Sequence, residues 1–435
     1  MNLTASLPPG VTLTPDELWR LEQQPSMLEE IRAVHGDLFT LHRPDQPPRV
    51  FLSSPHHFRN ILLRHDQELP GLGTTRYNDL IGPRSMLKLS GTEHRQIRRI
   101  ATPPFVGASL QQQAGTVHRL IVEGLSELRG LPSQPLSRTT LRITARIMNA
   151  LTFPSLTPDT GQAMEESLTA VLNALHDART ADPGRRALLD ADYHRARDAL
   201  DRLLTAEITR ARTAGNRHAD GSLLSALLTG PGLLPDHDIR DQIVSVLTGG
   251  TTTAANGMSM ALYWMHHRPD VAERLTAELR ALPADAPALE IAQLPYLSAV
   301  CRESLRVPTV TPTSAARRVT APFTEEGYHF PEGTEIIVAI HLAHHDEQTY
   351  PDHARFRPER FLGRPADHMR YLPFGIGAHR CLGAQLTELE MKLTLAEALR
   401  LDGFGLSGAD AELQPRSHGV NLTTPHSVQV RYCAA

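Results

Sequence analysis

The sequence has few of the residues that would indicate a disulfide framework or a nucleic-acid partner. It contains three cysteines in 435 residues, which is too few for such a framework and is typical of a reducing compartment. The net charge is −4, so no excess of basic residues predicts binding to nucleic acid. We therefore expect a cytoplasmic protein that does not bind nucleic acid.

Long apolar segments are also missing. No uninterrupted hydrophobic run reaches the length of a membrane span. The N-terminus lacks the basic and apolar segments of a secretory signal. We expect a soluble protein without a membrane anchor.

Most of the chain has the apolar periodicity of α-helices, so the predicted class is mostly α with minor β sheets. Helices are predicted over residues 15–36, 118–130, 196–213, 236–268, 268–282 and 294–307. Strands are predicted over residues 49–54, 335–340 and 426–432. The polar segment 176–192, which contains Pro183 and Gly184, predicts a loop between two helices.

Cys381 lies in the segment FGIGAHRCLG, directly before a strongly helical stretch. A single cysteine is most often a small buried hydrophobe. A zinc site would need further cysteine or histidine ligands at suitable spacing, and only His379 is near. Three glycines let the backbone approach a flat partner, and a helix N-terminus favours a thiolate. These features indicate the thiolate ligand of a haem.

The run from Phe374 to Gly383 resembles the haem-binding signature of the cytochrome P-450 family. That signature has Phe, Gly, a basic residue, Cys and Gly at the same five spacings. Two further segments resemble the family. CRESLR contains Glu303 and Arg306, like the family's Glu-x-x-Arg helix, and FRPERF places Arg360 where the family has the third member of a structural triad.

The resemblance implies the triangular haem-thiolate fold and a bound haem b with Cys381 as the axial ligand of the iron. Residues 1–435 would form a single oxygenase domain, with a helix-rich lobe, a smaller β-containing lobe and no fused reductase. The residues implied in haem binding, in addition to the cysteine, are His94, Arg98, Arg317, His379, Phe374, Gly375 and Gly249. The two histidines and two arginines are the candidate partners of the haem propionates.

The long helix over residues 236–268 contains TGGTTTAAN, which resembles the family's distal pattern of a small residue, Gly, any residue, an acid and Thr. Aligning the Gly of that pattern with Gly249 places Thr252 at the threonine and Thr251 at the acid. We expect Thr252 to be the catalytic hydroxyl that manages protons, and Thr251 to organise water at most. The family's carboxylate is missing in this alignment.

The resemblance implies a monooxygenase that hydroxylates or epoxidises a small, largely apolar molecule, in bacterial secondary metabolism. Dioxygen and two electrons from a ferredoxin-type donor and its reductase would be consumed. The missing acid keeps open an alternative, namely oxidative coupling, desaturation or rearrangement without oxygen insertion. A non-catalytic haem sensor is the third interpretation. The predicted pocket walls are residues 71–87, the long helix and VPTVTPTSA from Val307, with Val310, Thr311 and Thr313.

Overall fold

The computed structural model describes residues 6–71, 78–180, 183–214, 220–363, 366–408, 415–418 and 421–432. Helices dominate these ranges, which confirms the mostly α class. The α-helices are α1 Pro15–Gln23, α2 Met27–His35, α3 Pro55–His57, α4 Asn78–Ile81, α5 Gly91–Ala101, α6 Gly107–Ser126, α7 Leu136–Thr152, α8 Pro158–Thr180, α9 Pro183–Thr213, α10 Leu223–Thr229, α11 Asp236–His267, α12 Pro269–Arg280, α13 Ala288–Ala292, α14 Pro295–Arg306, α15 Ile340–His344 and α16 Ala384–Arg400. A π-helix spans Phe58–Leu63, and 3-10 helices span Pro103–Phe105 and Pro358–Phe361.

The strands are short and form small sheets. They are β1 Gly10–Thr12, β2 Leu38–Arg43, β3 Gln46–Leu52, β4 Gln134–Pro135, β5 Arg317–Arg318, β6 Phe323–Glu325, β7 Tyr328–Phe330, β8 Glu335–Val338, β9 Phe404–Ser407, β10 Arg416–His418, β11 Asn421–Thr423 and β12 Gln429–Tyr432. A five-stranded sheet has the order β1-β2-β3-β8-β5, and a three-stranded sheet has the order β4-β12-β9. The pairs β6-β7 and β10-β11 are antiparallel.

Two sequence predictions about helices are corrected by the structure. The helix predicted over residues 15–36 is two helices, α1 and α2, separated at Pro25. A proline inside a helix lacks the N–H donor and clashes with the preceding turn, so the break falls there.

The loop predicted over residues 176–192 is largely helical, because α8 continues to Thr180 and α9 begins at Pro183. Proline suits the first turn of a helix, where its N–H is not needed.

Helix α11 runs through the largest hydrophobic core, and its buried residues occur on nearly all sides. Two glycines let neighbouring helices approach it closely. A Cβ on Gly250 would lie 2.9 Å from the Met148 Cε atom of α7, and one on Gly257 would lie 3.1 Å from the Met391 Sδ atom of α16. The position of α11 beside α16 therefore depends on small residues. Within the described ranges, every helix is too short or too polar to cross a lipid bilayer.

Candidate active site

The cysteine lies at the end of a tight loop that precedes α16. Gly375 and Gly377 have φ values of +68° and +76°, which favour glycine because a Cβ would be strained. The backbone N–H of Cys381 donates a hydrogen bond of 2.8 Å to the Phe374 carbonyl oxygen and so closes the loop. This loop presents the thiol of Cys381 to an internal cavity.

The thiol is surrounded by protein on its other sides. Burial raises the pKa of Cys381, whereas the Gly383 N–H and the guanidinium groups of Arg98 and Arg380 lower it. The donors expected before a helix N-terminus are therefore present, but they do not outweigh desolvation. A metal ion bound by the sulfur would supply the missing positive charge, since a coordinating thiol is deprotonated.

The cavity has the size of a ligand-binding pocket. Its volume is about 300 Å³, at the lower end of the roughly 300–1000 Å³ of such pockets. The Cys381 loop and α11 both line it. Its other apolar lining includes Met86, Leu87, Phe105, Met148, Val246, Leu305, Val310 and Ile340. Polar side chains also line it, and those outside the basic cluster include Ser245, Thr311 and Ser314.

The structure brings the four predicted propionate ligands together at one side of this cavity. The rings of His94 and His379 stack with centroids 4.0 Å apart. Both histidines and Arg98 line the cavity, and Arg317 lines a smaller adjoining cavity that also contacts His379 and Gly375. Burial, followed by the nearby arginines, lowers the pKa of His94 to about 4, and burial lowers that of His379 to about 3. The rings are therefore neutral donors, and the arginines carry the charge.

The pairing of the two arginines shows whether the site fits an anionic cofactor. Arg317 pairs with Asp66 at 3.2 Å, but the described residues provide no carboxylate partner for Arg98. Burial lowers the pKa of the Arg98 guanidinium. A buried cation is costly unless an anion accompanies it. Together with a cysteine that faces the same cavity, this cluster fits a flat group with two carboxylates and a central metal, which is haem.

The cavity lining favours a distal register one residue later than the one predicted from sequence. Neither Thr251 nor Thr252 lines the cavity, and both are buried in the surrounding protein. The cavity wall instead includes Gly249, Gly250 and Thr253, which fall on one face at 100° per residue. Moving the family pattern by one residue gives Gly249 the small-residue place and Gly250 the glycine place.

In this shifted register the threonine place is Thr253, and the acid place is Thr252. Sequence alone could not separate the two alignments, because two glycines are followed by three threonines. The Thr253 hydroxyl donates a hydrogen bond of 2.7 Å to the Gly249 carbonyl oxygen. The departure from the family therefore persists in either register, since no acid occurs at either place.

Glu303, Arg306 and Arg360 form the predicted triad. The Glu303 carboxylate accepts two hydrogen bonds of 2.8 Å from Arg306 and one of 3.0 Å from Arg360. Glu303 and Arg306 are fully buried. The pair is therefore an interior structural element and not a surface ion pair.

His344 connects this triad to the cysteine loop, a role that its sequence context did not indicate. Its carbonyl oxygen accepts a hydrogen bond of 2.8 Å from Arg306, and its ring nitrogen Nε2 accepts one of 2.9 Å from the Leu372 N–H. Leu372 lies two residues before Phe374, where the loop begins. Burial keeps the pKa of His344 well below its ordinary value, so the ring stays neutral and can accept this bond.

The predicted pocket walls are observed in part. Met86 and Leu87 line the cavity, whereas residues 72–77 of the predicted loop lie outside the described residues. From the segment after α14, Val310 and Thr311 line it and Val307 and Thr313 do not. The Val307 carbonyl instead accepts a hydrogen bond from the Trp264 indole.

A cysteine thiol facing a large cavity, with a buried basic cluster on one side and a long helix on its wall, defines a haem-thiolate protein. The family model for cytochrome P450 matches residues 14–427. The chain belongs to the cytochrome P450 family, and it is a haem-thiolate oxidoreductase of the monooxygenase type. Haem held by the Cys381 thiolate would supply the activation of dioxygen, since thiolate electron donation favours O–O cleavage.

Individual relatives agree with this assignment. Cytochrome P450 135B1 of Mycobacterium tuberculosis is 28% identical over 430 residues, which cover 97% of this chain and 90% of that protein. A Streptomyces melanosporofaciens protein named cyclooctat-9-en-7-ol 5-monooxygenase is 30% identical over 400 residues, 87% of this chain and 84% of its own. Cyanobacterial CYP120A1 with retinoic acid bound has the same fold, with a TM-score of 0.80, 22% identity and coverage of 99% and 100%.

Proposed function

We propose that this protein hydroxylates or epoxidises a small, largely apolar molecule, using dioxygen and two electrons from a separate ferredoxin-type donor. The observation that supports this most directly is that one cavity is lined by Cys381, by Arg98 with the two histidines, and by Gly249, Gly250 and Thr253 of α11. The axial ligand, the anion-binding groups and a distal hydroxyl are therefore in reach of one bound haem.

The substrate class follows from the cavity walls. Most of the lining is aliphatic or aromatic, so burial of apolar surface would supply most of the binding free energy. The hydroxyls of Ser245, Thr311 and Ser314 each donate a hydrogen bond within the protein, so each can offer the substrate only an acceptor oxygen. A terpenoid-like alcohol has this character, and the name of the Streptomyces relative indicates an alcohol of that kind. A role in bacterial secondary metabolism is proposed on the same basis.

We assign the roles of the chain's own residues as follows. Cys381 holds the iron, and Phe374 and Gly375 shape the loop that presents it. His94, Arg98, Arg317 and His379 bind the propionates. Thr253 holds the proton donor on the distal side, in place of the predicted Thr252.

The electron donor is expected to meet a basic surface near the cysteine loop. We propose Arg95, Arg99 and Arg380 as its contacts, because a ferredoxin is acidic and charge complementarity accelerates docking. Lys392, a fourth candidate, has its ammonium group 3.0 Å from the Ala292 carbonyl oxygen, so it is already engaged.

The test is substrate binding followed by product mass. Candidate terpenoid alcohols would be titrated into the ferric protein while its spin state is followed by absorption. Turnover under isotopically labelled dioxygen would then show whether one labelled oxygen atom enters the product. Product formed without label would exclude oxygen insertion.

The alternative of coupling, desaturation or rearrangement is retained for one reason. The acid place of α11 is occupied by Thr252, so proton supply to dioxygen differs from the family pattern. A product that has lost hydrogen or changed connectivity, without labelled oxygen, would favour this alternative.

A further inference from the structure

Three residues outside the cavity that Cys381 faces form a cluster of the kind that binds metal ions. They are Glu29 of α2, His341 of α15 and His345, which directly follows α15. Each residue offers one ligand atom, and these three atoms lie within 4.8 Å of one another. The roles assigned above use none of the three. The cluster is therefore a candidate site separate from the reaction cavity.

The two histidines of the cluster are already oriented as a pair. They are four residues apart, so they lie on one side of the same helical turn, and their rings stack with centroids 4.0 Å apart. The Nδ1 nitrogen of His345 lies 2.9 Å from the His341 carbonyl oxygen and can bond it only as an N–H donor. The lone pair of the neutral His345 ring is therefore on Nε2. Metal-bound histidines usually have the other ring nitrogen fixed by such a bond.

The carboxylate of the cluster comes from a second helix. The Oε1 atom of Glu29 is 2.8 Å from the Nε2 atom of His341, so these two atoms share a proton. The side chain of His341 is 10% exposed and that of Glu29 is 41% exposed, so an ion can enter from solvent on the Glu29 side. Arg32, one turn further along α2, pairs with Asp346 at 3.1 Å and holds α2 against the end of α15. The ligands are therefore held together by a contact that needs no ion.

Two ring nitrogens in this part of the molecule have no hydrogen-bond partner among the described residues. They are the Nδ1 atoms of His341 and His353, and both atoms are buried. The ring of His353 packs edge-on against His345, with centroids 5.3 Å apart. Buried polar groups are normally paired. A water molecule bound to an ion in the cluster is the kind of partner that such nitrogens require.

We propose that Glu29, His341 and His345 form a binding site for a divalent transition-metal ion, with Zn²⁺ as the best match. Two imidazole nitrogens and one carboxylate oxygen are ligands that Zn²⁺ accepts, and water takes the fourth position. The ion replaces the proton shared by Glu29 and His341, and that proton is released to solvent. The ion joins α2 to α15, which carries His344 and through it contacts the cysteine loop. The site is structural, and bound Zn²⁺ stabilises the folded protein.

The test uses the haem-loaded full-length protein, prepared without a polyhistidine tag and freed of metal ions by EDTA. Titration with Zn²⁺ against a competing fluorescent chelator compares wild type with Glu29→Gln, His345→Gln and His56→Gln. His56 is the matched control, because it belongs to a second and more exposed group with His57 and Glu326. Wild type and His56→Gln should bind one Zn²⁺ per chain with equal affinity. Glu29→Gln and His345→Gln should each weaken binding by at least the roughly 10–100-fold that loss of an outer-shell partner costs.

X-ray absorption at the zinc edge identifies the ligands without any substitution. Wild type should show nitrogen and oxygen ligands at about 2.0–2.2 Å and no sulfur at about 2.3 Å. Zn²⁺ should also raise the melting temperature of wild type and His56→Gln only. The proposal is overturned if wild type binds no Zn²⁺, if the ion has a sulfur ligand, or if His56→Gln loses the ion. It is equally overturned if Glu29→Gln or His345→Gln keeps the affinity or the thermal shift of wild type.

Discussion

The Thr253 hydroxyl donates a hydrogen bond of 2.7 Å to the carbonyl oxygen of Gly249, one turn earlier in α11, and both residues line the cavity that Cys381 faces. Because a hydroxyl has one proton and two acceptor sites, this bond leaves the oxygen of Thr253 free to accept from water. This orientation is the one that the proposed role of Thr253, holding a proton donor on the distal side, requires.

Replacing this hydroxyl should uncouple electron consumption from product formation. Thr253→Ala should lower the amount of product formed per electron pair and raise the amount of hydrogen peroxide. The ratio of product to peroxide should fall roughly 10-fold or more, since general acid–base groups contribute on the order of 10²–10⁴-fold to reaction rates. Thr253→Ser keeps the hydroxyl and is the matched control. Thr251→Ala and Thr252→Ala should have smaller effects. A larger loss of coupling in Thr252→Ala than in Thr253→Ala would restore the register expected from sequence.

Haem retention should depend on the basic cluster. Arg98→Ala removes a half-buried cation whose described surroundings provide no carboxylate, so the propionate would lose a charge-assisted bond worth about 1.5–3 kcal/mol. The haem dissociation constant should rise about 10–150-fold by that figure. Transfer of haem to apomyoglobin would measure the rate of haem loss. The control is Arg119→Ala, which removes an exposed ion pair with Glu123. Unchanged retention in single alanine variants of His94, Arg98, Arg317 and His379 would exclude the proposed clamp.

The buried triad should contribute to stability far more than an exposed ion pair. Glu303→Ala leaves Arg306 buried without its partner and should cost about 3–5 kcal/mol in the free energy of unfolding. The control is Glu359→Ala, which removes an exposed pair with Arg274 and should cost about 0–1 kcal/mol. Urea denaturation of both variants measures the difference. Equal losses would mean that the triad is not the interior support of the cysteine loop.

Glu390, which is fully buried on α16, should make stability depend on pH in a defined direction. Its pKa is raised to about 8 in the folded protein from an ordinary value of 4.5, so folding takes up a proton between these values. The stabilisation of wild type relative to Glu390→Gln should therefore be full below about pH 4.5 and should decline as pH rises through 8. Unfolding free energies of both proteins across this range test the direction. A difference that is constant or that grows with pH would contradict it.

The sequence alone predicted the features whose residues lie at a fixed spacing along the chain. The cysteine loop, the Glu303–Arg306 pair and the four basic residues are local or short motifs, and the structure brings the four basic residues together. The proposed distal hydroxyl moves from Thr252 to Thr253 because TGGTTT allows two registers, and the rotation of α11 puts Thr253 on the cavity wall.

Other features depend on packing that no short pattern encodes. His344 is buried by the triad and the loop, although in sequence it belongs to a polar run, HHDE. Glu390 looks like an ordinary acid on a charged helix, and only the approach of α11 at Gly257 places it among buried, unpartnered groups. Its position in the cavity wall could not be predicted from the sequence of α16.

The central claim is that Cys381 is the axial ligand of a haem iron, and one spectrum tests it most directly. The reduced protein with carbon monoxide should show the strongly red-shifted Soret band of thiolate ligation. Cys381→Ala should lose that band, while Cys301→Ala, which changes a buried cysteine on α14, should keep it. A Cys381→Ala protein that retains the red-shifted band would contradict the account, because another residue would then bind the iron.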